Sequence, residues 1–444
     1  MMLKFGCIKK YLTVLLPFVL ILGIAACGSQ DTPPAQTGSE SQTSEAIQPD
    51  DAQAATSAEL VWSGWAGEEA ATRVIIDQMM DSYPNANISW VGWPWAEVTQ
   101  QILIRFHGSE LIDVAQIDSS MFTTLIEAGA LADLTDIFDS EWLNENFPEP
   151  ALAFGQMDGV QYAMPWTTAS IGMVYNPTLL AAVGFDSPPT TLDEFEEVLS
   201  RLREYDSDII PYAISTTDTT AAFDFMPWLW AFGGSILGAD GSVTIDSEEG
   251  IATLRWYQEM AERGYIRANI SRFDARQLFA QGRVAFYDDA VMANGIALTN
   301  GVEEADLDAT IQPMLRPVLR SGDAPTSVMW GHLLAIISTS DNKVEAADFI
   351  KHVLSDEQSI PYFNQSGMLP VMNSGLSHPD VINDTWAAQW SEITNYGRDD
   401  EFKFFPQNAE LQNIISEELQ AVIVGQKTPE EAAEAMRRRL SEAL

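Results

Sequence analysis

The chain has 444 residues, 10% of them aromatic including 13 Trp, and a formal charge of −41 at pH 7. So acidic a protein is repelled by nucleic acid and by anionic lipid headgroups, which excludes both as partners. Residues 58–444 exceed what one hydrophobic core usually organises, so two lobes are expected. The chain opens with Lys4, Lys9 and Lys10 ahead of the apolar run YLTVLLPFVLILGIAA, which stops at Cys27. Interrupted by Pro17, the run is marginal for a span that needs ~20 apolar residues, so residues 1–26 read as a cleaved export signal.

The stretch Leu22-Gly23-Ile24-Ala25-Ala26-Cys27-Gly28 resembles the lipobox of bacterial lipoproteins, which implies lipidation at Cys27. Cys7 leaves with the signal, so Cys27 has no disulfide partner although the compartment permits one. Residues 27–57 hold almost no large apolar side chain and read as an acidic, polar tether. Some ~30 such residues span roughly 30 Å, enough to let a domain swing at a membrane surface.

Beyond the tether, Glu59–Trp62 reads as a strand ending in the loop Ser63-Gly64-Trp65-Ala66-Gly67, followed by a helix over Glu68–Tyr83. Asn87–Val91 reads as a strand, Trp95–Phe106 as a helix, and Ile112–Ile117 as a strand ending at Asp118. The next helix covers Phe122–Ala130. This alternation predicts a parallel sheet covered by helices, with ligand chemistry at the carboxyl ends of its strands, where Asp118 and the Trp65 loop fall. Asp158-Gly159 marks a hairpin turn, and strands follow at Tyr162–Pro165 and Ser170–Tyr175. Thr191 and Glu194 form a capping box that starts a helix over Leu192–Tyr205.

Several segments in order resemble the extracellular solute-binding proteins of ABC importers, in the carbohydrate-binding branch typified by maltose-binding protein. They include ELVWSGWAGEE, IDVAQIDSSMFTTLIEAGALADLT, DGVQYAMPWTTASIGMVYNPTLLAAVGFDSPPTTLDEF, PWLWAFGGSIL, FAQGRVAFYDD, WGHLLAIISTSDNKVEAADFIKHVLSDE, SGMLPVMNS and TPEEAAEAMRRRLSEAL. The resemblance implies an α/β, two-lobed periplasmic-binding-protein fold of type 2, with discontinuous lobes and a hinge. On that pattern the chain crosses near Thr168–Gly172, Met329–Leu334 and Pro370–Ser374. The first lobe then comprises 58–168 and 330–371, the second 169–329 and 372–444. The implied role is capture of a sugar by hinge closure and delivery to an ABC permease, by a monomer held on the outer face of the cell membrane through its lipid alone.

A sugar offers hydroxyls at its edge and C–H faces above and below, so a site for it combines stacked rings with hydrogen-bonding side chains. Trp65, Trp93 and Trp95 lie in loops after the first two strands, Trp166 and Trp330 at crossings, and Trp228 where the branch places an aromatic platform. Glu68, Asp118 and Asp289 are the expected polar contacts, and Phe405 in FFPQN the expected contact from the last segment. Trp62 and Trp230 are read as core. The branch's Gly-x-Trp after Asp289 is missing, Ala290–Met292 standing there, so one expected ring is lost and the solute is open; a polyamine or other non-sugar solute is the alternative. A secreted glycosidase is the rival class, but no pair of carboxylates is marked out. His107, His332, His352 and His378 show no metal-ligand spacing, and of these only His332 lies near a crossing. Neither cofactor nor metal is expected.

Overall fold

The computed structural model describes residues 58–444, apart from Ala71, Ser109 and Asp218. The export signal, the tether and Cys27 lie outside the described residues. The strands in chain order are β1 (Ala58–Gly64), β2 (Ala86–Gly92), β3 (Val114–Asp118), β4 (Gln156–Met157), β5 (Val160–Gln161), β6 (Ala163–Tyr175), β7 (Ile210–Ala213), β8 (Val284–Asp289), β9 (Gln312–Met314), β10 (Ser327–Ile336), β11 (Leu369–Pro370) and β12 (Gly397–Arg398). β4 and β5 form the expected hairpin, with Asp158 and Gly159 both in the left-handed region at φ 52° and 79°.

The other strands make one mixed sheet in the order β2-β1-β3-β10-β6-β8-β7, with β11 and β9 also on β6 and β12 on β10. It is parallel at its two ends, where β1 pairs β2 and β3 and β7 pairs β8, and again where the short β12 lies along β10. The uniformly parallel sheet expected from the alternation is thus corrected. β10 runs antiparallel to both β3 and β6, because a chain that crosses along β6 returns beside it. The two short strands read at 162–165 and 170–175 are one 13-residue strand, β6. Its first part pairs β10 and its last four residues, Gly172–Tyr175, pair β8, so one strand serves both halves of the sheet. β11 lies along Thr167–Thr168 on the same strand. Gly331 is required at this crowded point, since a Cβ there would stand 2.5 Å from the Thr167 carbonyl oxygen.

The helix expected from Glu68 begins only at Arg73. Thr72 ties its hydroxyl back to the Ala66 carbonyl, so residues 65–70 stay a loop. Trp95–Glu97 is a 3₁₀ turn before the helix Val98–Gly108, and Asp118 caps the helix Ser119–Glu127. Thr191 and Glu194 form the full capping box that starts Leu192–Tyr205. Thr428 and Glu431 do the same for the closing helix Pro429–Ala443, which packs on Asn408–Ile423. Residues 56–444 form a single compact unit holding all these elements and their buried clusters, so the unit carries its own core. No helix among the described residues is long and apolar enough to cross a membrane.

Candidate functional site

A cavity opens where β6 and β10 leave the first half of the sheet, with about 610 Å³ of space between its lining atoms, open to solvent on one side. That space includes open solvent, and the centre of a water-sized sphere can reach only about 70 Å³ of it. Trp65 comes to it from the loop after β1, Trp95 from the turn after β2, and Trp330 from β10. Opposite stand Phe223 on the helix Thr220–Ala231, Arg272, Phe273 and Arg276 on the helix Arg272–Ala280, Asp289 at the end of β8 and Met292 beyond it. Ile171 of β6 forms part of the floor.

Arg276 grips Asp289 with two bonds, Nε to Oδ2 at 2.9 Å and Nη2 to Oδ1 at 2.6 Å, and the Ala290 N–H adds a third at 2.8 Å. Burial would raise the Asp289 pKa, but the Arg276 guanidinium outweighs it and leaves the carboxyl below its ordinary value. Arg272 pairs with the buried Asp224. Glu69, at the solvent-reached rim, forms no ion pair among the described residues. Protein atoms crowd it enough that desolvation raises its pKa, with Arg276 opposing and Asp289 adding. The charged lining groups are therefore two acids and two arginines, with both arginines already committed.

On the other wall, Trp95 and Trp330 aim their indole N–H groups at the buried Asp118, 2.5 and 3.3 Å from Oδ2. The Trp65 and Ala66 N–H groups donate to Gln116 Oε1 at 3.0 and 2.9 Å. With that oxygen committed, the Gln116 amide donates through Nε2 to His332 Nδ1 at 3.2 Å. Desolvation lowers the His332 pKa to about 3, so the ring is neutral, and it stands edge-on to Trp65 and Trp330 at 4.8 Å each.

Trp65, Trp95, Trp330 and Asp289 thus meet at one cavity, while the remaining expected contacts lie elsewhere. Glu68 turns outward and accepts the Trp90 indole N–H at 2.9 Å; its neighbour Glu69 faces the cavity instead. The tight turn from Trp65 to Glu68 reverses the chain there. Asp118 is fully buried behind the wall rather than part of it. Trp93 is packed in the core under Arg105, and Trp166 is enclosed by Trp62 and Tyr362. Alternation along β6 sends the Trp166 ring to the helix-covered face. Trp228 stacks on Phe195 and Trp256 and donates to the Tyr212 hydroxyl. At 100° per residue it lies well round the helix from Thr220 and Phe223, which face the cavity. Phe405 is half-buried against the core, and the following Pro406 and Gln407 line an adjoining depression that shares Trp95. Trp62 and Trp230 are buried, as read.

The arginine wall was missed. Its signal was present in Ser271-Arg272-x-Asp274-x-Arg276, where the Ser271/Asp274 capping box fixes a helix start and i, i+4 spacing puts both arginines on one face. Met292 lines the cavity in the segment where the branch's Gly-x-Trp would have set a ring. Among the described residues no cluster of His, Cys, Asp and Glu could hold a metal.

A family model described as Bacterial extracellular solute-binding protein matches residues 74–389. The maltotriose-binding protein of Pyrococcus abyssi is 24% identical over 262 residues, 58% of this chain and 54% of that protein, so the match spans about half of that relative's length. The diacetylchitobiose binding protein DasA of Streptomyces coelicolor is 24% identical over 353 residues, 76% of this chain and 78% of that protein. The GacH receptor of Streptomyces glaucescens superposes with a TM-score of 0.77 at 18% identity, covering 87% of this chain and 98% of the other. At that identity the superposition establishes the fold, which is the two-lobed α/β architecture of periplasmic binding proteins. The relatives are named as binding proteins and a receptor, and the family is one of solute-binding proteins, not enzymes. The chain belongs to the bacterial extracellular solute-binding protein family.

Proposed function

We propose that this protein captures a sugar or short oligosaccharide in the cavity between its lobes and hands it to an ABC permease. The observation that carries this reading is a cavity walled by three indoles and two phenylalanine rings whose charged groups balance, two acids against two arginines. Rings cover the C–H faces of a sugar, and paired Arg276 and Asp289 still offer donors and an acceptor to its hydroxyls. A polyamine needs several unpaired carboxylates, and Asp289 is spent on Arg276. The depression beyond Trp95, lined by hydroxyls and amides such as Thr99, Gln100, Ser120 and Asn413, gives room for further sugar units. The names of the relatives from Pyrococcus abyssi and Streptomyces coelicolor, one binding maltotriose and the other diacetylchitobiose, support the same class.

Ligand touching both walls stabilises the closed arrangement in proportion to its differential affinity for it. The lobes in this reading comprise 58–168 with 330–371, and 169–329 with 372–444. Cys27 is the lipid anchor that keeps a monomeric receptor beside its permease on the outer face of the membrane. Titrating the compact unit 56–444 calorimetrically with maltotriose, diacetylchitobiose and spermidine tests the proposal. Saturable heat from a sugar is expected; heat from spermidine alone overturns it. A second reading, a solute with one cationic group, is favoured by Glu69, whose carboxylate stands beside the aromatic wall without an ion pair among the described residues.

A further inference from the structure

The three tryptophans of the wall come from places far apart in the chain: a loop after β1, a turn after β2, and the crossing strand β10. Each is fastened to the same short strand. On β3, Gln116 and Asp118 are two residues apart and so share a face. The Gln116 side-chain oxygen takes both N–H groups that open the Trp65 loop. Gly64 allows that approach, since a Cβ there would lie 2.5 Å from the same oxygen. The Asp118 carboxylate divides its work. Oδ1 accepts the Ser120 N–H at 2.9 Å and hydroxyl at 2.6 Å, which caps the following helix. Oδ2 accepts the indole N–H groups of Trp95 and Trp330. Asp118 has no exposed surface and does not line the cavity, so a solute in the cavity meets the rings and not the carboxylate.

We propose that Gln116 and Asp118 are positioning residues that assemble the tryptophan wall on β3, with Asp118 setting the spacing of Trp95 and Trp330 through one shared oxygen and neither residue touching the solute. This deepens the proposed function and rests on the cavity being the solute site. An acid placed at a strand end beside a cleft invites assignment as a ligand contact. Here its acceptors face inward, and it acts through the rings it holds. A carboxylate buried at a cost is retained where its hydrogen bonds are charge-assisted, and both indole bonds are of that kind.

The test is the set of indole N–H signals of the unit 56–444 in ¹⁵N–¹H spectra recorded without solute. Trp95→Phe and Trp330→Phe identify the two signals by their loss. In Asp118→Asn both signals move upfield together, and maltotriose binding weakens on the order of tenfold, the weight of one hydrogen bond to a charged group. Signals that stay put, or only one that moves, overturn the shared hold; both signals moving with unchanged maltotriose affinity overturns its role in the site. Should Asp118→Asn fail to fold, Trp330→Phe decides: with one donor removed, the Trp95 signal shifts, and an unmoved signal refutes the proposal. The spectra need no solute, so a native protein that gives heat with spermidine alone and with neither maltotriose nor diacetylchitobiose refutes the carbohydrate reading and leaves the shared hold on the two indoles testable.

Discussion

On the β3 side of the cleft, tryptophans are fixed by hydrogen bonds to one amide and one carboxylate, whereas on the far side arginines are fixed by ion pairs with buried acids. The far wall also rests on a charged network: beneath Arg272 and its partner Asp224 lies the Asp288–Arg316 pair, both side chains wholly buried, with the Tyr212 hydroxyl donating to Asp288 and the Trp228 indole donating to Tyr212. The Arg316 guanidinium also stands 4.9 Å from the Trp228 ring. Hydrogen bonds from neutral donors can be lost one at a time. Removing one member of a buried ion pair leaves an uncompensated charge. The difference teaches that the aromatic wall can vary with modest loss of stability, while the arginine wall is tied to the integrity of its half.

The largest expected effect follows from that contrast. Asp288→Ala strands Arg316 and lowers the unfolding free energy by about 3–5 kcal/mol, read by chemical denaturation; a loss below about 1 kcal/mol would put the pair on a par with surface ion pairs and erase the distinction. Next in size is Trp330→Ala, which removes a ring from the other wall. It is expected to cost about 2 kcal/mol of binding free energy for whichever sugar titrates, roughly thirtyfold in affinity, with a smaller loss of stability. Equal losses in stability for the two variants would contradict the comparison.

The two buried carboxylates of the cleft also respond to acid with opposite signs. Asp118 has its pKa raised by burial, with the bonds from Ser120, Trp95 and Trp330 opposing. Its contribution to stability is therefore full below the ordinary carboxylate value and lost as pH rises through its native value. For Asp289 burial is outweighed by Arg276, and the lowered pKa means a contribution present above the ordinary value and lost as pH falls through the native one. On acidification from neutrality through the carboxylate range, Asp289→Asn should flatten the loss of stability and Asp118→Asn should steepen it. Identical pH slopes in denaturation of the two variants would show that the walls do not differ in this way. The smallest effect is at the rim: Glu68→Gln should change sugar affinity by less than about 0.5 kcal/mol, since Glu68 faces Trp90. Glu69→Gln should exceed it, and a larger effect at Glu68 would reverse the placement of the two acids.

Much of the first wall could be read in the chain. Trp65 after β1, Trp95 after β2 and Asp118 at the end of β3 follow from strand and loop patterning alone, and Trp330 from the crossing that the family resemblance implies. What patterning could not tell was which tryptophan turns inward. Trp93 and Trp95 differ by two residues, yet the first packs under Arg105 and the second reaches the cavity, because the chain passes from strand to 3₁₀ turn between them. Trp228 carried the same ambiguity, which only its rotation about the helix resolves. Glu68 and Glu69 are indistinguishable as letters, and the turn that separates their directions is set by hydrogen bonds from Thr72 and Glu68 to the loop.

The sequence by itself determined the strand and helix alternation, the capped helix starts, the Asp158-Gly159 hairpin and the aromatic richness of the cleft-side loops, because each depends on local spacing and backbone preference. Only the tertiary structure decided that the sheet is mixed, that β6 serves both halves, that Arg272 and Arg276 face the tryptophans, and that Asp118 holds rings instead of meeting solvent. Those features depend on residues brought together from distant parts of the chain, where burial and the choice of hydrogen-bond partner are fixed by packing and leave no periodic trace in the order of residues.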